Sequence, residues 1–301
     1  MARRSLRLRV GGIVLAVEAE RPTPALDPPP ALRPFLVARG GDLRLRYTEE
    51  PPPLPARSEV LFDSGGVWRV ERVKGGLLYS FRIRNRRPPL YKVVSIDEGL
   101  RSGRLHFDRS PRGPRFALDY PLDELLFQHR LAREGAVEVH ACGIAWQGRA
   151  LLFCGRSGAG KSTTARLWKR HARGARLLSD DRIVLRPAGR GVRAHGTPWH
   201  GDGGFASPAS APLRAVFFLK RGRRTRLVPL GTAEAAARLF ARSFPPPWDT
   251  EGLEGALDAC ADAAAAAPAY DLFFRPDRTA VEAVGAAVAR SRRGPAQAQL
   301  R

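Results

Sequence analysis

The chain has 301 residues, enough for one large or two ordinary domains, and its 44% hydrophobic content is that of a soluble globular protein. No window holds the roughly 18 apolar residues of a membrane span, which excludes a helical membrane protein. A formal charge of +22 points toward nucleic acid, but it is nearly all arginine scattered among Ala and Pro, with lysine only at positions 74, 92, 161, 169 and 220. It reads as compositional bias more than as a recognition patch.

Residues 1–17 loosely mimic a signal peptide, yet the apolar part is short and Gly11-Gly12 breaks it. Leu6, Leu8 and Val10 alternate with Arg7 and Arg9, so Leu6–Val17 reads as the first strand of a cytoplasmic protein. Phe35–Val37, Leu43–Tyr47, Val67–Val73, Leu77–Ile83 and Leu90–Ile96 follow as strands, with a hairpin signal at Lys74-Gly75-Gly76. Arg21–Pro34 and Glu49–Pro55 read as Pro-rich connectors, and His106 as a surface residue. Pro121–Arg133 has a helical face. Val137–Trp146 and Ala150–Cys154 read as two strands joined by a tight turn. Cys142, Cys154 and Cys260 have neither C-x-x-C nor metal-ligand spacing, and the first two read as buried thiols.

The second strand runs into Gly155-Arg156-Ser157-Gly158-Ala159-Gly160-Lys161-Ser162-Thr163 and then a helical run to Arg170. This is G-x-x-x-x-G-K-[ST] between a strand and a helix, a loop whose backbone N–H groups cradle phosphates. Lys161 would reach the β- and γ-phosphates, and the Ser162 hydroxyl would ligate Mg²⁺. About twenty residues on, Asp180-Asp181 end a short apolar strand, where α/β proteins place metal ligands and bases. Gly196–Gly204 carries Thr197, Trp199 and His200 and reads equally as a substrate loop or a plain hairpin connection. Beyond it, Leu213–Leu219 and Arg226–Leu230 read as paired strands and Thr232–Phe240 as a helix capped by Thr232. Glu251–Ala266 and Asp277–Arg290 read as helices around a strand at Tyr270–Phe274, with a frayed tail from Ser291.

His140 before Gly143, the Gly155–Ser162 loop and Asp180-Asp181-Arg182-Ile183 together resemble the C-terminal catalytic domain of HPr kinase/phosphorylase, a bacterial serine kinase. The loop also resembles that of ATP-dependent phosphoenolpyruvate carboxykinase. The whole layout is similar to HPr-kinase-like proteins of peptide-modification clusters, including lasso-peptide precursor kinases. The resemblance implies an α/β P-loop kinase domain of the HPr kinase/phosphoenolpyruvate carboxykinase type, preceded by a β-rich N-terminal domain. Its divisions would be a β-rich domain at 1–118, a connecting helix at 119–136, a catalytic domain at 137–292 and a tail at 293–301.

The resemblance further implies ATP and Mg²⁺ as cofactors and an acceptor serine on a protein or peptide, with an oligomer left open. Asp180 would be the general base, Asp181 would hold Mg²⁺ with Ser162, Lys161 would offset phosphoryl charge, and His140 would orient the aspartates. The glycine-rich E-x-R-G-L-G signature of true HPr kinases does not follow, so HPr as acceptor, the phosphorylase back-reaction and the hexamer stay outside the expectation. Three other readings stand beside this one: a carboxykinase or small-molecule kinase, a nucleotide-gated peptide-binding module without catalysis, and a nucleic-acid-dependent ATPase.

Overall fold

The computed structural model describes residues 2–52, 55–83, 90–109 and 115–290. The tail expected from residue 291 lies outside them, as does part of the 49–55 connector. The chain divides into two compact units. One is formed by the residues up to Arg130 together with Pro246–Thr250, the other by Leu131–Pro245 and the chain from Glu251 on.

The first unit is one mixed sheet of eight strands: β1 (Arg3–Val10), β2 (Ile13–Thr23), β3 (Leu43–Thr48), β4 (Glu59–Asp63), β5 (Trp68–Val73), β6 (Gly76–Arg82), β7 (Leu90–Asp97) and β8 (Ser102–Phe107). Their order is β1-β2-β3-β8-β7-β6-β5-β4, with β2–β3 and β3–β8 parallel. Alternation places Leu8, Val17, Leu45, Leu105, Val94 and Tyr79 in the core.

Three expectations change. The single strand over Leu6–Val17 is a hairpin, because Gly11-Gly12 turn the chain and Val10 faces Ile13. Phe35 closes a 3-10 turn over Pro30–Phe35, where the prolines remove ladder donors, and Leu36 touches the sheet only as a bridge to Leu8. His106 is buried on β8, its Nδ1 3.1 Å from the Glu50 carbonyl.

Helix α1 (Leu122–Arg133) follows, and within the first unit its His129 is fully buried. His129 Nε2 lies 2.8 Å from Asp249 Oδ2, and Nδ1 meets the Tyr79 hydroxyl. Trp248 stacks edge-on against His129 and Tyr79.

The second unit is built on β9 (Val137–Trp146), β10 (Arg149–Cys154), β11 (Arg176–Ser179), β12 (Arg182–Ala188), β13 (Gly191–Gly196), β14 (Ser210–Arg221), β15 (Arg226–Leu230) and β16 (Ala269–Phe274). Its helices are α2 (Lys161–His171), α3 (Thr232–Phe240), α4 (Thr250–Ala266) and α5 (Arg278–Arg290).

Strand β10 lies between antiparallel β9 and parallel β14, and β14 continues in parallel to β16. Both faces of β10 are buried, as in strands covered by helices on two sides. Leu151 and Phe153 join Trp168 of α2 and Val284 of α5 in one core. Ala150, Leu152 and Cys154 join Leu239 of α3 and Cys260 of α4 in the other.

Strand β9 is long enough to carry two neighbours on one edge: β11 opposite Ile144 and Ala145, then β12 opposite Val137–His140. The chain passes from β11 to β12 through Asp180-Asp181. Two expectations differ here. β15 pairs with β16, not with β14. Gly231 is the N-cap of α3, and Thr232 is already helical with no capping bond. All three cysteines are free and buried.

The Tyr79–His129–Asp249 chain gives a stability test. Asp249→Ala removes the acceptor of a fully buried imidazole N–H, which costs ~1–3 kcal/mol. The expected outcome is a lower unfolding midpoint by calorimetry, with a smaller loss in Asp249→Asn, which keeps an acceptor oxygen.

Candidate active site

The site lies at the C-terminal end of β10, where Cys154 gives way to the glycine loop and α2 begins at Lys161. Gly160 caps the helix at φ +106°, which only glycine adopts without strain, and a Cβ there would sit 2.9 Å from Phe274 Cζ. Arg156, Ser157 and Gly158 are exposed, while Ala159, Gly160, Ser162 and Thr163 are half-buried. Thr164, not expected to matter, is buried and donates its hydroxyl to the Gly160 carbonyl at 2.9 Å.

The Lys161 ammonium is buried and donates to the loop carbonyls of Gly155 at 3.1 Å and Arg156 at 3.5 Å. Burial draws its pKa below the ordinary lysine value, against the pull of Asp181, whose Oδ1 lies 3.9 Å away. A cation desolvated in this way, at a helix N-terminus, is suited to an anionic ligand.

The two aspartates occupy different surroundings. Asp180 is 1% exposed. Its Oδ2 accepts from the Ser162 hydroxyl at 3.1 Å and from Gly203 N–H at 2.8 Å. Its Oδ1 accepts from Gly201 N–H at 3.1 Å and Phe205 N–H at 3.4 Å. A Cβ on Gly203 would collide with Oδ2, so the approach of this backbone requires glycine. The 196–204 loop, read equally as a substrate loop or a plain connection, wraps a carboxylate of its own chain, and the spacing of Gly201 and Gly203 is the signal for it.

Asp181 is more open, its side chain 24% exposed. Its Oδ1 lies 2.8 Å from His140 Nε2, and its Oδ2 pairs with Arg182. Burial pushes this carboxyl up, but the His140 hydrogen bond and the charges of Arg182, His140 and Lys161 outweigh it and hold the pKa below the ordinary carboxylate value. Arg182 also reaches Glu138 Oε1 at 3.2 Å and lies over the Phe244 ring. Glu138 and Phe244 are contributors that composition and spacing do not reveal.

Register explains the convergence. His140 stands opposite Arg182 across β9–β12, and Ser179 stands opposite Gly143 across β9–β11. The buried Ser179 hydroxyl accepts from Asp181 N–H and Arg182 N–H and donates to the Trp199 carbonyl, fixing the corner. Thr197 is buried and donates to the Arg182 carbonyl at 2.7 Å. Trp199 is half-buried and His200 exposed.

Lys161, Ser162, His140, Asp180 and Asp181 therefore meet in one place, but Ser162 meets Asp180 and not Asp181. Among the described residues, no group of three or more His, Cys, Asp or Glu is placed to hold a metal ion. Magnesium bound beside phosphate asks for less, since it keeps waters and phosphate oxygens and takes one or two protein ligands. Ser162 beside the loop fits that need, with Asp180 accepting its hydroxyl proton.

Comparison with known proteins adds two likenesses. A family model described as "SynChlorMet cassette protein ScmC" matches residues 124–254. Among solved structures, one similar chain is described as "Structure of the Hpr(Ser) kinase/phosphatase from Coxiella burnetii". It shares 14% identity over 52% of this chain and 90% of its own, with a TM-score of 0.29, too low to add to the geometry above. No curated protein matches the chain.

The pKa of Asp181 in the folded state lies below its unfolded value of ~3.9. Its contribution to stability is therefore complete above about pH 4 and lost as pH falls through the lowered value. Asp181→Asn, followed by urea unfolding from pH 6 down to the acid limb, should show a shallower loss of stability below about pH 4 than the unsubstituted chain.

Proposed function

We propose that the chain is an ATP- and Mg²⁺-dependent kinase that phosphorylates a serine hydroxyl on a protein or peptide. The observation carrying this is the meeting of a buried P-loop lysine with two differently housed aspartates, Asp180 on Ser162 and Asp181 on His140. The motif set that resembles HPr kinase is the same set that converges. When bound, the nucleotide and its Mg²⁺ supply the transferable phosphoryl group and the charge that offsets it.

The chain's own residues divide the work as follows. Lys161, now donating to Gly155 and Arg156 carbonyls, would turn to phosphate oxygens. Ser162 and Asp180 are the metal side. Because the Ser162 proton is given to Asp180, both hydroxyl lone pairs remain for a cation. Asp180 itself is walled in by three backbone N–H groups and is out of reach of an incoming hydroxyl.

Asp181 is the acceptor side. It is ionised, more exposed, and anchored by His140 and Arg182, and it would hold the serine hydroxyl and take its proton. His140 and Arg182 position that carboxylate. This reverses the division that the resemblance implies for Asp180 and Asp181.

The test uses purified protein, γ-labelled ATP, Mg²⁺ and a lysate of the native host. Label should appear on a discrete protein or peptide. Lys161→Ala should lose both nucleotide binding and label. Asp181→Asn should keep nucleotide binding and lose transfer by ~10²-fold or more, whereas Asp180→Asn should weaken the Mg²⁺ dependence of binding. If Asp180→Asn abolishes transfer at full nucleotide affinity and Asp181→Asn does not, the roles stand as the resemblance has them. Bound nucleotide with no labelled macromolecule would count against a protein kinase.

A further inference from the structure

The outward face of the first unit's sheet carries arginines that the catalytic reading does not use. Arg9 on β1, Arg44 and Arg46 on β3 and Arg104 on β8 are exposed, with Arg7 beside them. Arg46 and Arg104 are directly opposite each other in the β3–β8 register. Like charges so placed repel.

On the far strands of this sheet two arginines are neutralised. Arg69 pairs with Asp63 at 2.7 Å and Arg72 with Glu59 at 2.7 Å. The carboxylate that stands opposite Arg46, that of Glu18 on β2, is taken by Arg7 at 2.6 Å. Among the described residues, Arg46 and Arg104 engage no carboxylate. Next to them lies an open depression of about 360 Å³, whose lining includes Arg21, Arg46, Arg104, Arg109, Tyr47 and Glu49.

We infer that this face is a docking surface for an acidic segment of the polypeptide that carries the acceptor serine. The substrate part of this inference rests on the kinase reading; the surface itself does not. A carboxylate between Arg46 and Arg104 would relieve their repulsion, and guanidinium forks match carboxylates in two-point geometry. From β1 to β8 the face spans three strand spacings, ~14 Å, or about four residues of extended chain. Glu18, Glu20 and Glu49 lie among the arginines. They would repel a continuous phosphate backbone, whereas a polypeptide can alternate its charges to suit. Holding the substrate on the enzyme raises its local concentration at the site.

The experiment measures fluorescence anisotropy of a labelled ten-residue polyglutamate with the full chain at low salt. The unsubstituted chain should bind. Arg46→Glu/Arg104→Glu should weaken binding by ~10-fold or more, whereas reversing two exposed arginines between β14 and β15, Arg223→Glu/Arg224→Glu, should change it less than twofold. The single Arg104→Glu should weaken binding while raising the unfolding midpoint, since it turns the Arg46–Arg104 repulsion into an attraction and faces only Ser95 on its other side. That combination separates lost docking from lost folding.

Lys161→Ala should bind polyglutamate unchanged. If that variant keeps its nucleotide while the peptide arms hold, or if no protein substrate is ever labelled, the kinase reading is in question and the docking surface is not. No binding by the unsubstituted chain would overturn the proposal, as would equal weakening by both double reversals. Tighter binding of a ten-nucleotide single strand through Arg46 and Arg104 would overturn it in favour of nucleic acid.

Discussion

A buried carboxylate must be supplied with hydrogen-bond donors, and Asp180 sets that demand for the second unit. Its 1% exposure leaves little room for water, so the donors come from the chain. Three are backbone N–H groups of Gly201, Gly203 and Phe205, which forces the loop to fold over the aspartate. The fourth is the Ser162 hydroxyl, which ties the first turn of α2 to the β11–β12 corner. Without that charge the glycine loop, the corner and the 196–205 segment would have no shared anchor. The site is thereby arranged in advance, which suits phosphoryl transfer, where positioning and charge stabilisation supply most of the catalysis.

The glycine loop is legible in the sequence because its spacing and its flanking apolar and helical runs are all local. The position of the aspartate pair is legible for the same reason. Their separate surroundings are not, since adjacent residues at a strand end point to opposite sides. Which of them meets Ser162 depends on the register of β11 and β12 against β9, a property of distant residues. Glu138 escapes notice because one acidic residue in an apolar strand looks like an edge position, yet it is buried against Arg182. In the first unit, β8 escapes because Gly103 and His106 blur its alternation. The roles of Trp248 and Asp249 escape because their partners, Tyr79 and His129, lie more than a hundred residues away in sequence.

Within the first unit two buried basic side chains are held by specific partners. Lys92 is buried beneath Phe81 and Tyr91 and gives its ammonium to the Asp119 carboxylate and, at 3.0 Å, to the Asp119 carbonyl. His129 is held between a phenol and a carboxylate. A buried polar group with partners on each side fixes one arrangement of neighbouring elements, because any slip leaves a donor or acceptor unmet. On the opposite face solvent relaxes that requirement, and among the described residues Arg46 and Arg104 stand there opposite each other without a carboxylate.

The cysteines are distributed unevenly between the two units. Cys142, Cys154 and Cys260 all belong to the second, and the first has none. Burial pushes all three thiols up, Cys154 and Cys260 to about 12, so the thiolate fraction at neutral pH is minute. Alkylating reagents can therefore react at an appreciable rate only after the second unit opens. Cys154 directly precedes the glycine loop, so its alkylation rate is a built-in clock for exposure of the strand beneath that loop, and the first unit stays silent in the same measurement.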